Sequence, residues 1–194
     1  GNGTIKLITA NGEIIESPVI NIAGVDPVAD PSLVFFNFDG LGYWWNNAGS
    51  EQNDPALSLD GSKYFYVDQV CNGWTGFFWR NSANNFPGAT IGTNVSQYVL
   101  KFDINVLEPI TGGEFAWRLK GSAGDFWYYW KPWESSGSYT TNGWITITIP
   151  LTSFYAGSTQ ISDLSTINED FGVAFNNGTS HVKACVDNVR FEQL

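Results

Sequence analysis

A chain of 194 residues with 43% hydrophobic side chains can build one large all-β domain, or one domain and a fragment of another, and is too apolar for global disorder. Its net charge of −10 excludes nucleic acid, whose phosphates need Lys and Arg, and by the same sign disfavours uronate-rich or sulfated partners. Charged residues are only 14% of the chain, so Asn, Ser, Thr and Gly must cover much of the surface. Nine Trp exceed what one core of this size absorbs, and the surplus points to a surface contact site.

Residues Ile5 to Ile22 read as a hairpin, with arms "TIKLIT" and "IIESPVINI" joined at Asn11-Gly12, a pair that favours a type I′ turn. Such a hairpin is no stable domain alone, so residues 1–24 are expected to be the terminal strands of a preceding immunoglobulin-like domain. The stretch 25–31, rich in Pro and Asp, reads as a linker. The main domain then covers 32–194. Absence of Met and of a visible signal peptide suggests a processed or trimmed piece, and no run approaches the ~18 apolar residues of a membrane span.

From Ser32 onward strand follows strand: "LVFFNFDG", "SKYFYVDQV", "SQYVLKFDINV", "EFAWRLKG", "GWITITIPL", "FGVAFNNG" and "SHVKACVDNVRFEQL". Alternation sets Leu100, Phe102 and Ile104 against Lys101, Asp103 and Asn105, and Phe115, Trp117 and Leu119 against Arg118 and Lys120. Only "ISDLSTINED" has room for a turn of helix. The expected fold is therefore an all-β, two-sheet antiparallel β-sandwich of the jelly-roll, carbohydrate-binding-module kind. Cys71 and Cys185, far apart in sequence, allow one long-range disulfide or two buried thiols.

A sugar ring offers C–H groups on one face and hydroxyls around its rim, so a glycan binder combines flat aromatics with planar polar side chains. The densest candidate is "FWYYWKPW", where alternation separates Phe126, Tyr128 and Trp130 from Trp127, Tyr129 and Lys131. Whichever set faces the core, the other carries rings to solvent, and Trp133 follows in a loop after Pro132. Trp44 and Trp45 in "GLGYWWNN" cannot both face inward, and "CNGWTGFFWRN" adds Trp74 and either Phe78 or Trp79. Lys101, Asp103, Arg118, Thr146 and Asn176 could supply hydrogen bonds. Each of these has a bland alternative as core packing or a solvated side chain. Asp39 and Asp187, at the two ends of the module, could hold a structural Ca²⁺ or simply cap turns. His181 is the single histidine, so neither a multi-His metal site nor a Ser-His-Asp triad can be assembled.

The segments "FFNFDG…WW", "YVLKFDINV", "YYWKPW", "NGWITITIPLTSF" and "VDNVRF" resemble the C-terminal glycan-binding domain of Bacteroidetes surface glycan-binding proteins, and the first hairpin resembles the end of their preceding immunoglobulin-like domain. The resemblance covers essentially the whole chain. It implies cell-surface location through an upstream lipoprotein anchor, association with an outer-membrane glycan transporter, no required cofactor and no catalysis. It also implies binding of a neutral polysaccharide, such as xyloglucan, mixed-linkage glucan or laminarin, through the aromatics of "FWYYWKPW". Two other readings stay open. A jelly-roll hydrolase or lyase would need its own signature, and the E-x-D-x-x-E pattern of retaining glucanases is absent. An adhesion domain would use the same tryptophans against protein.

Overall fold

The computed structural model describes residues 24–81 and 86–194, together with four short strands among the first 21 residues. Of these four, β2 (Lys6–Ile8) pairs antiparallel with β3 (Ile14–Glu16), and β1 (Asn2–Gly3) with β4 (Ile20–Asn21), which is the expected hairpin pairing. The turn at Asn11-Gly12 lies outside the described residues.

Twelve further strands build two antiparallel sheets. They are β5 (Val34–Phe36), β6 (Ser50–Gln52), β7 (Tyr64–Asn72), β8 (Thr75–Asn81), β9 (Tyr98–Val106), β10 (Glu114–Gly121), β11 (Gly124–Trp130), β12 (Ile145–Pro150), β13 (Tyr155–Ala156), β14 (Thr159–Gln160), β15 (Asp170–Asn176) and β16 (Thr179–Gln193). The front sheet runs β14-β13-β11-β10-β15-β8, and the back sheet runs β12-β9-β16-β7-β6 with β5 paired to β16. The two-sheet sandwich expected from alternation is the observed architecture. "ISDLSTINED" contributes one 3-10 turn at Leu164–Thr166, and further short helical turns, too brief to show periodicity, stand at Pro31–Leu33, Gly88–Ile91, Val95–Gln97 and Leu151–Ser153.

The sheets meet over an aromatic core. Phe36, Phe65, Phe78, Phe102, Phe171 and Phe175 are fully buried, each stabilising the fold by about 1.5–3 kcal/mol relative to exposure. Edge-to-face pairs such as Phe36–Phe78, with centroids 4.9 Å apart at 64°, fix the sheet spacing. Cys71 and Cys185 are both buried free thiols, pushed up to about 11 and about 12 by burial, so no disulfide joins the strands.

Two bulges decide which side chains face out. In β8, Val173 pairs with Phe78 and Ala174 with Gly76, so Phe77 is the extra residue. Phe77 and Phe78 therefore both enter the core, and Trp79 turns to the front face. In β16 the register shifts between Asp187 and Arg190, with Asn188 in the left-handed region at φ 49°, which Asn tolerates better than most residues. Arg190 is thereby buried on the outer side of the back sheet.

That outer side is not open. The Thr146 N–H donates to Gly24 O at 2.6 Å, the Asp26 N–H donates to Thr146 Oγ1 at 2.7 Å, and Arg190 Nη2 donates to Asp26 O at 3.0 Å. Lys101 Nζ adds an ion pair to Asp26 at 2.8 Å and another to Glu192 at 2.6 Å. The segment read from sequence as a linker lies bonded across the back sheet from Gly24 to Asp26.

Candidate functional site

Register places five strands' outward residues in one line across the front sheet. Trp79 (β8) pairs with Gly172 (β15), Gly172 with Arg118 (β10), Arg118 with Trp127 (β11), and Trp127 with Tyr155 (β13). At the usual strand spacing, Trp79 to Tyr155 spans about 19 Å. The row runs perpendicular to the strands, so no sequence window contains it.

Small residues seat the rings. A Cβ at Gly172 would stand 2.9 Å from Trp79 Cδ2, and one at Gly76 would stand 2.5 Å from Trp45 Cζ3 and 3.0 Å from Trp79 Nε1. Trp79 therefore lies over a bed of two glycines. Trp45 bonds to it as an extra edge pairing, through Trp79 N–H to Trp45 O at 3.0 Å, and the Trp44 N–H donates to Trp79 O at 2.9 Å. The Trp74 ring stands 5.7 Å from Trp79 and 5.7 Å from Trp127, linking both ends of the group. Trp44, Trp45, Trp74, Trp79, Arg118 and Asp170 enclose a cleft of about 300 Å³. On the other side of Arg118, Trp127, Tyr129, Tyr155, Ser153 and Gly157 line a second hollow. Trp127 and Tyr129 lie parallel to within 1°, with centroids 6.0 Å apart.

Arg118 sits between the two halves, 5.8 Å from the Trp79 ring and 5.0 Å from that of Trp127. Both Asp125 oxygens accept from it at 2.7 Å, and Asp170 Oδ2 accepts from Nη1 at 3.2 Å. The Asp125 hydrogen bond is the main cause raising the Arg118 pKa, which keeps the guanidinium charged throughout the working range. Burial pushes the Asp170 carboxyl up, against the pull of Arg118 and Lys120.

Several expected residues stand where the row needs them. Trp44 (62% exposed), Trp45, Trp74 and Tyr129 (48%) are open to solvent, while Trp127 and Arg118 are half-buried on the same face. Trp79 faces the front as expected but is only 3% exposed, because Trp45 and Trp74 cover it; it is the floor of the cleft rather than a rim platform. Trp130 and Trp133 stand away from the row, packed against the core. Trp130 follows the core phase of β11, stacking near Phe115 and Phe102, and Trp133 packs against the core and donates its indole N–H to Gly113 O at 2.8 Å. Trp130→Ala is accordingly expected to cost about 3–5 kcal/mol of stability in urea titrations while leaving a refolded fraction's ligand affinity unchanged.

Asn176 ends β15 opposite Glu114, four residue pairs along the strands from the Gly172–Arg118 pair of the row. Lys101, Asp103 and Thr146 lie on the back sheet and serve the Gly24–Asp26 contacts instead. Asp39 accepts the Lys63 N–H at 3.0 Å, and Asp187 accepts from Asn188 N–H at 2.7 Å and Ser62 Oγ at 3.3 Å. Among the described residues no three His, Cys, Asp or Glu side chains converge to hold an ion. Sequence reasoning missed Asp125, Asp170 and Tyr155, the last 42% exposed on a two-residue strand too short to show alternation.

A two-sheet antiparallel sandwich with an aromatic row and cleft on one face has the build of a carbohydrate-binding module. The chain belongs to the family described as surface glycan-binding protein B xyloglucan binding domain, which its residues 28–193 match. No curated protein matches it. Similar solved structures include a surface glycan-binding protein B from Prevotella bryantii (TM-score 0.65, 16% identity, 84% of this chain and 56% of that one). Another is the SGBP-B of a complex xyloglucan utilization locus in Bacteroides uniformis (TM-score 0.57, 13% identity, all of this chain and 56% of that one). A third is the family 11 carbohydrate-binding module of Clostridium thermocellum in complex with a β-1,3-1,4-mixed-linked tetrasaccharide (TM-score 0.50, 18% identity, 83% of this chain and 95% of that one). The chain thus spans about half the length of the surface glycan-binding proteins it resembles.

Proposed function

We propose that the front face binds a stretch of neutral β-linked glucan, of the xyloglucan or mixed-linkage kind, laid along the row from Trp44 and Trp45 toward Tyr155. The observation that carries this reading is the cross-strand alignment of Trp79, Arg118, Trp127 and Tyr155, which with the exposed Trp44, Trp45 and Trp74 over Trp79 offers aromatic surface along a straight path. Charge supports a neutral ligand. The one arginine on the row is matched by two carboxylates, so the row itself offers no net positive charge to uronates or sulfates. The same pairing supports holding rather than catalysis, because Arg118 occupies both oxygens of Asp125 and one of Asp170. The family and its relatives, described as surface glycan-binding proteins, support work at the cell surface; an upstream lipid anchor and an outer-membrane glycan transporter as partner are further parts of the proposal.

Affinity electrophoresis in gels containing xyloglucan, mixed-linkage glucan, laminarin, mannan or xylan tests this. The wild type is retarded by at least one β-glucan and releases no reducing ends from it. If Trp127 buries ~100 Å² against sugar, it supplies ~2.5 kcal/mol gross, so Trp127→Ala weakens binding more than tenfold. A folded protein that no neutral glycan retards would leave the protein-contacting adhesion domain as the better reading.

A further inference from the structure

The tryptophan cleft contains polar atoms that the fold leaves without partners. Asp170 Oδ2 is held by Arg118, but Oδ1 is buried and accepts no hydrogen bond among the described residues. Trp79 Nε1, beside Gly76, is likewise buried with no acceptor. A buried polar group left unsatisfied costs about 1–3 kcal/mol, and both residues line the same cleft. The guanidinium of Arg118 has five N–H groups, of which the Asp125 and Asp170 contacts use three. Two donors and one carboxylate oxygen are therefore left at one end of an aromatic box.

Resting on the glycan-binding reading above, we propose that Asp170 and Arg118 form a hydroxyl-reading pair that selects pyranose rings bearing two adjacent free hydroxyls. One hydroxyl donates to Asp170 Oδ1, and its neighbour accepts from a free Arg118 N–H. The apolar face of the same ring packs on the indoles. Because Oδ1 lies just beneath the surface, entry of the sugar includes a small shift of a lining side chain, which tryptophan fluorescence reports. A ring substituted at either hydroxyl, or carrying a carboxylate toward Asp170 and Asp125, is rejected. Asp170 and Arg118 thus confer specificity, whereas Trp127 and Tyr129 supply area.

Titration calorimetry with xyloglucan oligosaccharides and with a mixed-linkage glucan tetrasaccharide tests the pair. Asp170→Asn, which keeps shape and the Arg118 contact, is expected to weaken Kd at least tenfold with an unchanged melting temperature and a smaller fluorescence change. Asp125→Asn, at a half-exposed carboxylate that only orients Arg118, is expected to weaken Kd about fivefold. Wild-type affinity in Asp170→Asn overturns the proposal. Where that variant does not fold, wild-type affinity in Asp125→Asn does so. Loss of binding in Trp127→Ala alongside normal binding in both aspartate variants would leave the platform standing and remove only the reading pair. A wild type that binds neither probe overturns both.

Discussion

Arg190→Met is expected to lower the unfolding free energy by about 3–5 kcal/mol, the usual cost of removing one partner of a buried pair. Arg190 is 1% exposed; its Nη1 lies 3.3 Å from Asp103 Oδ2 and donates to Asn188 O at 2.9 Å. Without it, Asp103 stays fully buried with Thr146 Oγ1 donating at 2.6 Å and the Asn188 side chain beside it, and the Asp26 carbonyl loses its anchor. Burial already raises the Asp103 pKa despite Arg190 and Thr146, so the native state holds that proton more tightly than the unfolded chain does. Stability from this group is thus greatest at acid pH and declines as pH rises through the raised value; the variant's deficit should be larger at pH 8 than at pH 5. Urea titrations of Arg190→Met, Asp103→Leu and the double variant read the coupling directly. The double variant is expected to recover most of the loss, since two apolar residues leave no buried charge behind. A deficit below about 1 kcal/mol in Arg190→Met would mean that water reaches Asp103.

Asp187→Asn is expected to act in the opposite sense and stabilise the protein near pH 8. Burial chiefly, with the charges of Asp60 and Asp39 adding to it, pushes the Asp187 carboxyl up to about 8. Between the ordinary carboxylate value and about 8 the native state binds this proton and the unfolded state does not. Stability therefore falls as pH rises through that window. Asparagine removes the ionisation but keeps an oxygen for the Asn188 N–H and an amide for Ser62 Oγ. A gain of about 2 kcal/mol would raise Tm by roughly 4–8 °C at pH 8 and fade toward pH 4. The converse result, a lower Tm in the variant together with a chelator-sensitive wild type, would establish Asp187 as a calcium ligand, as its place in the sequence leads us to expect.

The sandwich was legible because period-two alternation survives in the long strands: Phe115, Trp117 and Leu119 face in, and Arg118 faces out, as their spacing requires. Alternation also separated Trp127 and Tyr129 from Trp130, but it could not say which set was core; only packing of Trp130 on Phe102 and Phe115 does so. β8 broke the pattern because its bulge spends Phe77 and Phe78 on the same side. Composition predicted surface tryptophans, yet gave no warning that Trp79 would be roofed by two others. Charged residues misled on the back sheet. Lys101 and Asp103 alternate outward correctly, but residues 24–26 cover them, and a local pattern cannot see a cover from 75 or more positions away. The row itself is a product of register between strands distant in sequence, and nothing within one strand encodes it.

The transverse row has an implication for how such a face can diversify. Each of five strands contributes a single outward position, flanked along its own strand by inward residues that hold the sandwich together. At Trp127 or Tyr155 a substitution changes chiefly its own rung of the face and leaves the inward folding pattern alone, whereas at Gly172 any side chain would strike Trp79. On the proposed reading, ligand preference can therefore drift at these outer rungs one contact at a time, whereas a bulge gained or lost in any one strand would shift every position beyond it at once.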